Sequence, residues 1–227
     1  MRWTFISILF CLAFLNFQIS AQKNSTGKGS YLLSLGMGVD YSASPSYTDY
    51  LKNELPLSAR DSIKTYTIGV EFFGGLEYRF TKYTSVKLDY SYYLRSNRYT
   101  FVYYVFDYTI STHQPYLMLF YSLNNKKIDI KVGTGAGYHF QKLENNISAN
   151  QQLVYTASGL SFRGEIIFVP KFSKILETYI SGYIFGSTSS SLKDSNGNYL
   201  KGNETGKEVN LSGYGVGARL GISIYLN

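Results

Sequence analysis

The sequence predicts an all-β fold, an eight-stranded antiparallel up-and-down transmembrane β-barrel, on three observations. Apolar residues recur with a period of two in one segment after another. The connections between those segments alternate long and short. The composition, with 23 Tyr, 15 Phe and 21 Gly among 227 residues and only 4 Pro, suits strands better than helices.

The last segment shows the period most plainly. Tyr214, Val216, Ala218, Leu220, Ile222, Ile224 and Leu226 share one face, and Gly215, Gly217, Arg219, Gly221, Ser223 and Tyr225 share the other. Successive side chains of a strand point to opposite faces, so this is a strand with an oily side and a small or polar side. About 9–11 such residues cross a bilayer, with lipid on one side and a polar lumen on the other.

The beginning of the chain bears on its address. Met1-Arg2 is followed by the apolar run Trp3–Phe17 and by Gln18-Ile19-Ser20-Ala21. Residues 1–21 read as a secretory signal peptide cut after Ala21, leaving 22–227 as the barrel domain. The single cysteine, Cys11, falls in the removed part, so the mature chain has no thiol or disulfide chemistry. The mature part has no apolar run long enough for a transmembrane helix, so a membrane role falls to strands, and only a closed barrel satisfies every backbone group in lipid. The formal charge is +7, with basic residues interspersed among acidic ones along the sequence, which gives a nucleic-acid partner no support.

The remaining elements follow in order. Ser30–Tyr41 alternates Tyr31, Leu33, Leu35, Met37, Val39 and Tyr41 against Ser34, Gly36, Gly38 and Asp40, and 42–64 reads as a long polar loop. Thr65–Phe80 sets Ile68, Val70, Phe72, Leu76, Tyr78 and Phe80 against Glu71, Glu77 and Arg79. Thr81–Tyr83 turns the chain into Val86, Leu88, Tyr90, Tyr92 and Leu94, which oppose Lys87, Asp89, Ser91 and Arg95. Residues 96–114 read as one long excursion; the aromatic stretch Tyr99–Tyr108 within it suggests two strands projecting as a ridge, or an interfacial belt. Tyr116–Leu123 is a strand whose two parities are both apolar. After the turn Asn124–Lys126, Lys127–Phe140 sets Ile128, Ile130, Val132, Ala136, Tyr138 and Phe140 against Lys127, Asp129, Lys131, Gly133, Gly135, Gly137 and His139. Gln141–Asn150 reads as loop, and Gln152–Val169 as a strand, with Leu160, Phe162, Ile166 and Phe168 opposite Ser161, Arg163 and Glu165. Pro170–Ser173 turns, Lys174–Gly186 returns, and 187–207 is a long loop before the last strand.

Short turns at 81–83, 124–126 and 170–173 against long connections give eight strands with both ends of the chain on the short-turn side. Ten strands would require two more hidden in a loop. The inward parity gathers Asp40, Glu71, Glu77, Asp89, Asp129 and Glu165 with Arg79, Lys87, Arg95, Lys131, Arg163 and Arg219. An eight-stranded barrel is only wide enough to be filled by its own side chains, so matched charges there fit a self-satisfied polar core better than an ion path.

No catalytic, cofactor-binding or metal residue is assigned. His139 is the one candidate for a lipid-modifying enzyme, on the condition that it meets Ser161 and Glu165 in a hydrogen-bonded cluster. His113 reads as exposed. Asp194–Asn198 lacks the glycine and the twelfth-position glutamate of a calcium loop, and Gly133–Gly137 has no following helix to make a phosphate loop.

The signal peptide, the Gly133–Phe140 segment GTGAGYHF and the ending GYGVGARLGISIYLN resemble the outer-membrane β-barrel domain family of Bacteroidota, with an architecture similar to OmpX- and OmpA-like small barrels. The resemblance covers nearly all of the mature chain and implies no single activity. The chain departs from many such barrels in ending Leu226-Asn227 rather than on an aromatic residue. The expectation is a non-enzymatic, porin-like protein of the cell outer membrane, bound to lipid and meeting envelope or extracellular partners through 42–64, 96–114 and 187–207. A soluble lipocalin-like binding barrel, with the apolar parity turned inward, is the alternative.

Overall fold

The structure, a computed structural model, describes residues 29–55, 63–100, 105–124, 128–147, 151–170, 176–203 and 205–226. The expected signal peptide, 1–21, with Cys11, lies outside these residues.

The strands are β1 (Ser30–Ala43), β2 (Tyr66–Arg79), β3 (Thr84–Thr100), β4 (Val105–Asn124), β5 (Ile128–Ile147), β6 (Gln151–Pro170), β7 (Leu176–Ser187) and β8 (Gly213–Leu226). Each pairs antiparallel with its neighbour in sequence, and β1 pairs with β8 from Tyr31↔Leu226 to Ala43↔Tyr214, closing an eight-stranded barrel. Closure removes every sheet edge through the body of the barrel, as a bilayer requires.

Parity decides what each strand presents. Leu35 (53% exposed), Ile68 (69%) and Ile184 (65%) stand on the outer surface, while Asp40, Glu71, Asp89, Arg163 and Arg219 are buried inside. β4, apolar on both parities, turns Leu117, Leu119, Tyr121 and Leu123 outward and Tyr116, Met118 and Phe120 inward. This assignment overturns the lipocalin-like alternative, which needed the apolar parity inside. Ten residues separate the outward Tyr31 and Tyr41. At ~3.3 Å per residue and a ~40° tilt they stand about 25 Å apart along the barrel axis, the height of a membrane band. Tyr31, Tyr78, Phe80, Tyr83 and Tyr121 ring the short-turn end of the band, and Tyr41, Tyr66 and Tyr214 mark the other.

Three connections differ from the sequence reading. Most of 96–114 is strand, because β3 and β4 stay paired from Thr84↔Tyr121 up to Thr100↔Val105. Within the Tyr99–Tyr108 stretch, Phe101–Tyr104 lie outside the described residues, and Tyr99, Phe106 and Tyr108 turn toward the barrel axis rather than outward. Likewise Gln141–Ile147 continues β5 against β6. The 42–64 segment contains helix α1 (Pro45–Glu54), which starts with proline in its first turn, where the missing N–H costs nothing, and buries Tyr47, Thr48 and Leu51 on one side.

Candidate functional site: the filled lumen and its outer cap

The interior is a stack of layers. At the short-turn end Arg79 donates to Tyr225 Oη (2.6 Å) and Glu177 (3.4 Å), and Lys131 Nζ holds both oxygens of Glu77 at 3.0 Å. Next comes an apolar cluster of Phe73, Tyr116, Met118, Phe120, Ile167, Val169 and Tyr179. Glycines on β5 make room for it: a Cβ on Gly133 would lie 2.3 Å from the Phe120 ring, and one on Gly137 2.7 Å from the Tyr116 ring. These β5 glycines are therefore packing devices, bulky β4 side chains lying over bare backbone.

The central layer holds three acids and three bases. Arg219 donates to Glu71 through Nε (2.9 Å) and Nη2, to Asp89 through Nη1 (3.1 Å), and to Ser91 through Nη2 (2.8 Å). Arg163 donates to Asp89 (3.1 Å) and Tyr93 Oη, and Lys87 pairs with Asp89 at 2.7 Å. Glu165 accepts from Ser181 (2.6 Å) and lies 3.5 Å from Arg219, and Tyr183 Oη donates to Glu71 (2.9 Å). The Arg163 guanidinium stacks 4.0 Å from the Tyr116 ring centre and Arg219 4.4 Å from Phe73, so the apolar layer also serves as cation–π floor for the charged one. The arrangement joins β2, β3, β6 and β8 across the barrel through charge-assisted bonds in a site without bulk water.

Above it, Arg95 holds Asp40 through Nη2 (2.6 Å) and Nε (3.1 Å) beside a chamber of about 20 Å³ lined by Thr112, Gln114, His139 and Gln141. His139 is fully buried here. Among the described residues neither of its ring nitrogens nor Ser161 Oγ has a hydrogen-bond partner, and Glu165 is committed to Ser181 and Arg219. The structure therefore does not assemble the Ser161–His139–Glu165 cluster that enzymatic chemistry would need. His113 is exposed on the outer face of β4, its Nδ1 2.6 Å from Tyr90 Oη.

The outer mouth is closed by the chain itself. Tyr47, Leu51 and Leu55 from α1 pack with Ile63, with Phe106, Tyr108, Ile110, Leu143 and Ala157 from the strands, and with Leu192, Leu200, Val209 and Leu211 from 188–212. Tyr47 Oη donates to Asn145 (3.1 Å), and Glu54 accepts from the Asn203 backbone N–H (2.6 Å), tying the helix to both partners. Burial pushes the Tyr47 hydroxyl well above its ordinary range, and burial with the nearby Glu54 charge pushes Tyr50 up to about 12. Short bridges, Thr156↔Lys193 and Lys201↔Glu208 among them, give 188–212 regular pairing. Asp194 turns its carboxylate onto Asn196 N and Asn198 N, both at 2.8 Å, around Gly197 (φ +85°), making an Asx-type turn. No cluster of three potential metal ligands occurs among the described residues.

Sequence reasoning missed Tyr93, Tyr183 and Glu177, which complete the interior bonding, and the whole apolar cap. Tyr93 and Tyr183 share the inward parity of Asp89 and Ser181, which was the signal available. The cap's only signal was Pro45 followed by Tyr47 and Leu51, four residues apart on one side of a turn of helix.

The sequence matches no protein-family model and no curated relative. Solved structures do match. A major outer membrane protein of Thermus thermophilus aligns at 11% identity with a TM-score of 0.52, over 86% of this chain and 99% of its own. The outer membrane protein OprG of Pseudomonas aeruginosa aligns at 12% identity with a TM-score of 0.51, over 88% and 97%. At these identities the likeness is one of fold. The chain has the fold of small outer-membrane barrels, and its oily outer band is the surface of a membrane barrel protein.

Proposed function

We propose that this chain is a non-enzymatic protein of the bacterial outer membrane whose work is to meet partners outside the cell through a four-stranded blade, β3–β6. One observation carries the reading. The β2–β3 ladder stops at Val70↔Leu94 and the β6–β7 ladder at Ser161↔Ser187, while β3, β4, β5 and β6 stay paired with one another to Thr100↔Val105 and Ile147↔Gln151. The blade therefore stands clear of the barrel wall on two sides. Its margins are Arg95–Thr100 on β3 and, beyond the bridge Thr156↔Lys193, Gln151–Tyr155 on β6. An exposed strand margin offers backbone donors and acceptors in a row, which suits addition of an extended segment from a partner. The filled interior and the apolar cap favour this over transport, and the unpartnered His139 favours it over lipid chemistry.

The test is a variant in which Asn-Gly turns replace 97–108 and 144–154. Cells carrying it should keep the chain in the outer-membrane fraction with heat-dependent gel migration, and lose the surface attachment that the full chain confers. Unchanged attachment and envelope permeability would sink the interaction reading, and a soluble periplasmic chain would sink the membrane reading.

A further inference from the structure

His139 and Thr112 are both more than nine-tenths buried, and among the described residues neither ring nitrogen of His139 nor Oγ1 of Thr112 has a hydrogen-bond partner. Both line the chamber of about 20 Å³ beneath the cap, whose Leu211 forms part of its lining. Gln114, Gln141 and Ser42, also buried, complete the polar part of that lining with Arg95. Register explains the convergence. Thr112 stands opposite Gln141, and Gln114 and His139 each lie two residues farther along the same inward parity of β4 and β5. The β4–β5 pairing also lapses at this level. It runs unbroken from Phe106↔Ile147 to His113↔Phe140 and resumes at Tyr116↔Gly137, with Pro115, which has no N–H to give, in the gap. The wall beside His139 therefore lacks ladder pairing that it has above and below.

We propose that the chamber is a binding site for one water molecule, which bridges a ring nitrogen of His139 to the hydroxyl of Thr112. The inference is independent of whether the blade meets a partner. Three observations select water over an ion or a larger molecule. The first is size: one water needs ~10–15 Å³, which the chamber supplies, and an organic ligand fills far more than about 20 Å³. The second is charge. Arg95 is the only Lys, Arg, Asp or Glu in the lining, and Asp40 already holds it at 2.6 Å and 3.1 Å, so no unbalanced charge faces the space to retain an ion. The third is bonding capacity. An imidazole nitrogen donates or accepts according to its tautomer, and a threonine hydroxyl does both. Water can answer either tautomer, whereas a halide only accepts and a metal ion only takes lone pairs. Gln141, whose Oε1 accepts from Ser189 Oγ (2.9 Å), keeps its amide N–H groups as donors on the same lining. The bridge gives His139 a role without chemistry: it joins β5 to β4 where their ladder lapses.

Crystals of the full chain in detergent, at a resolution that shows ordered water, test the site. The chamber should hold one single-atom density peak within ~3.2 Å of a His139 ring nitrogen and of Thr112 Oγ1. The same crystals grown in sodium bromide should give no anomalous peak there. Thr112→Val keeps the side-chain shape, removes the hydroxyl and should lose the peak, while Tyr138→Phe, on the outer side of β5, should keep it. A chamber without density overturns the proposal, as does a bromide peak, density larger than one atom, or a His139 ring bonded directly to Thr112 or Gln114. A peak that survives Thr112→Val, or that Tyr138→Phe removes as well, also overturns it. Folding of each variant is scored apart by heat-dependent migration. If Thr112→Val does not fold, the full-chain density and the bromide crystals decide the matter, since either can refute the site.

Discussion

Replacing Arg219 by Met separates a bonded interior from a merely crowded one. The guanidinium is fully buried and bonds Glu71, Asp89 and Ser91, with Glu165 3.5 Å away. Methionine retains much of the volume but leaves the three acids of the layer, Glu71, Asp89 and Glu165, with two of its three cations, Arg163 and Lys87. Taking one member from a buried ion network costs roughly 3–5 kcal/mol, because a desolvated charge is left without compensation. Adding Glu71→Gln removes the carboxylate orphaned by the first change, so the double variant should lose less than the sum of the single ones by about 1 kcal/mol or more. The assay is urea unfolding of the chain in phospholipid vesicles, with the folded fraction read from migration of unheated samples. Raising salt to 0.5 M should leave the loss intact, since buried pairs are screened far less than exposed ones. A single-variant loss below ~1 kcal/mol, or strict additivity in the double variant, would refute the assignment of Arg219 as the hub of the central layer.

Two further outcomes follow from packing and protonation. A Cβ on Gly217 would lie 2.3 Å from Cζ of Tyr183, whose hydroxyl is held by Glu71, so Gly217→Ala should cost about 1–3 kcal/mol in the same unfolding assay. Gly182→Ala is its control: the nearest atom is Gly217 O at 4.0 Å, and the change should be neutral or stabilise by up to ~1 kcal/mol. The raised pKa of the Tyr50 hydroxyl makes the cap alkali-sensitive in a defined direction. Folding favours the neutral phenol, so the contribution is complete below the ordinary tyrosine value near ~10 and is lost as pH rises through about 12. Absorbance at tyrosinate wavelengths, compared between the chain and Tyr50→Phe, should show one phenol titrating late. A difference spectrum centred near pH 10 would show that Tyr50 is not packed against the cap beside Glu54.

What the sequence made legible was whatever a period of two can carry. The strand from Lys127 places Gly133, Gly135 and His139 inward by parity alone, and the structure agrees because one face is oily and a register slip would turn all of it into the lumen. β4 defeated that logic: Tyr116, Met118 and Phe120 are as apolar as Leu117, Leu119 and Tyr121, and only the β5 glycines opposite them show which set has space inside. Strand length was misjudged at 96–114 and 141–150 for a related reason. Above the membrane the outward residues become polar, as Ser96, Arg98, Lys142 and Glu144 do, so the alternation that marks a lipid-facing strand fades while the hydrogen-bonded ladder continues. The cap was hidden because its members come from α1, Ile63, the strands β4, β5 and β6, and 188–212, none contributing more than a few apolar residues. His139 was a candidate only on the condition that it met Ser161 and Glu165, and proximity along a wall does not make a bonded cluster: among the described residues neither ring nitrogen has a hydrogen-bond partner.

The sealed interior narrows where function can reside. Eight strands enclose room only for side chains, and in this chain that room is taken in turn by ion pairs, an apolar layer, a second ionic layer, a chamber of about 20 Å³ and an apolar cap. Charges that bond one another across the barrel are withdrawn from outside recognition, which is why the interior, although densest in ionisable groups, is the least suited to a partner. Among the described residues, backbone groups still directed outward lie at the margins of the β3–β6 blade. The blade offers backbone hydrogen bonds at margins where nearby charges pair locally, as Arg98 does with Asp107 at 2.7 Å. Binding there should therefore depend on strand geometry and respond little to salt.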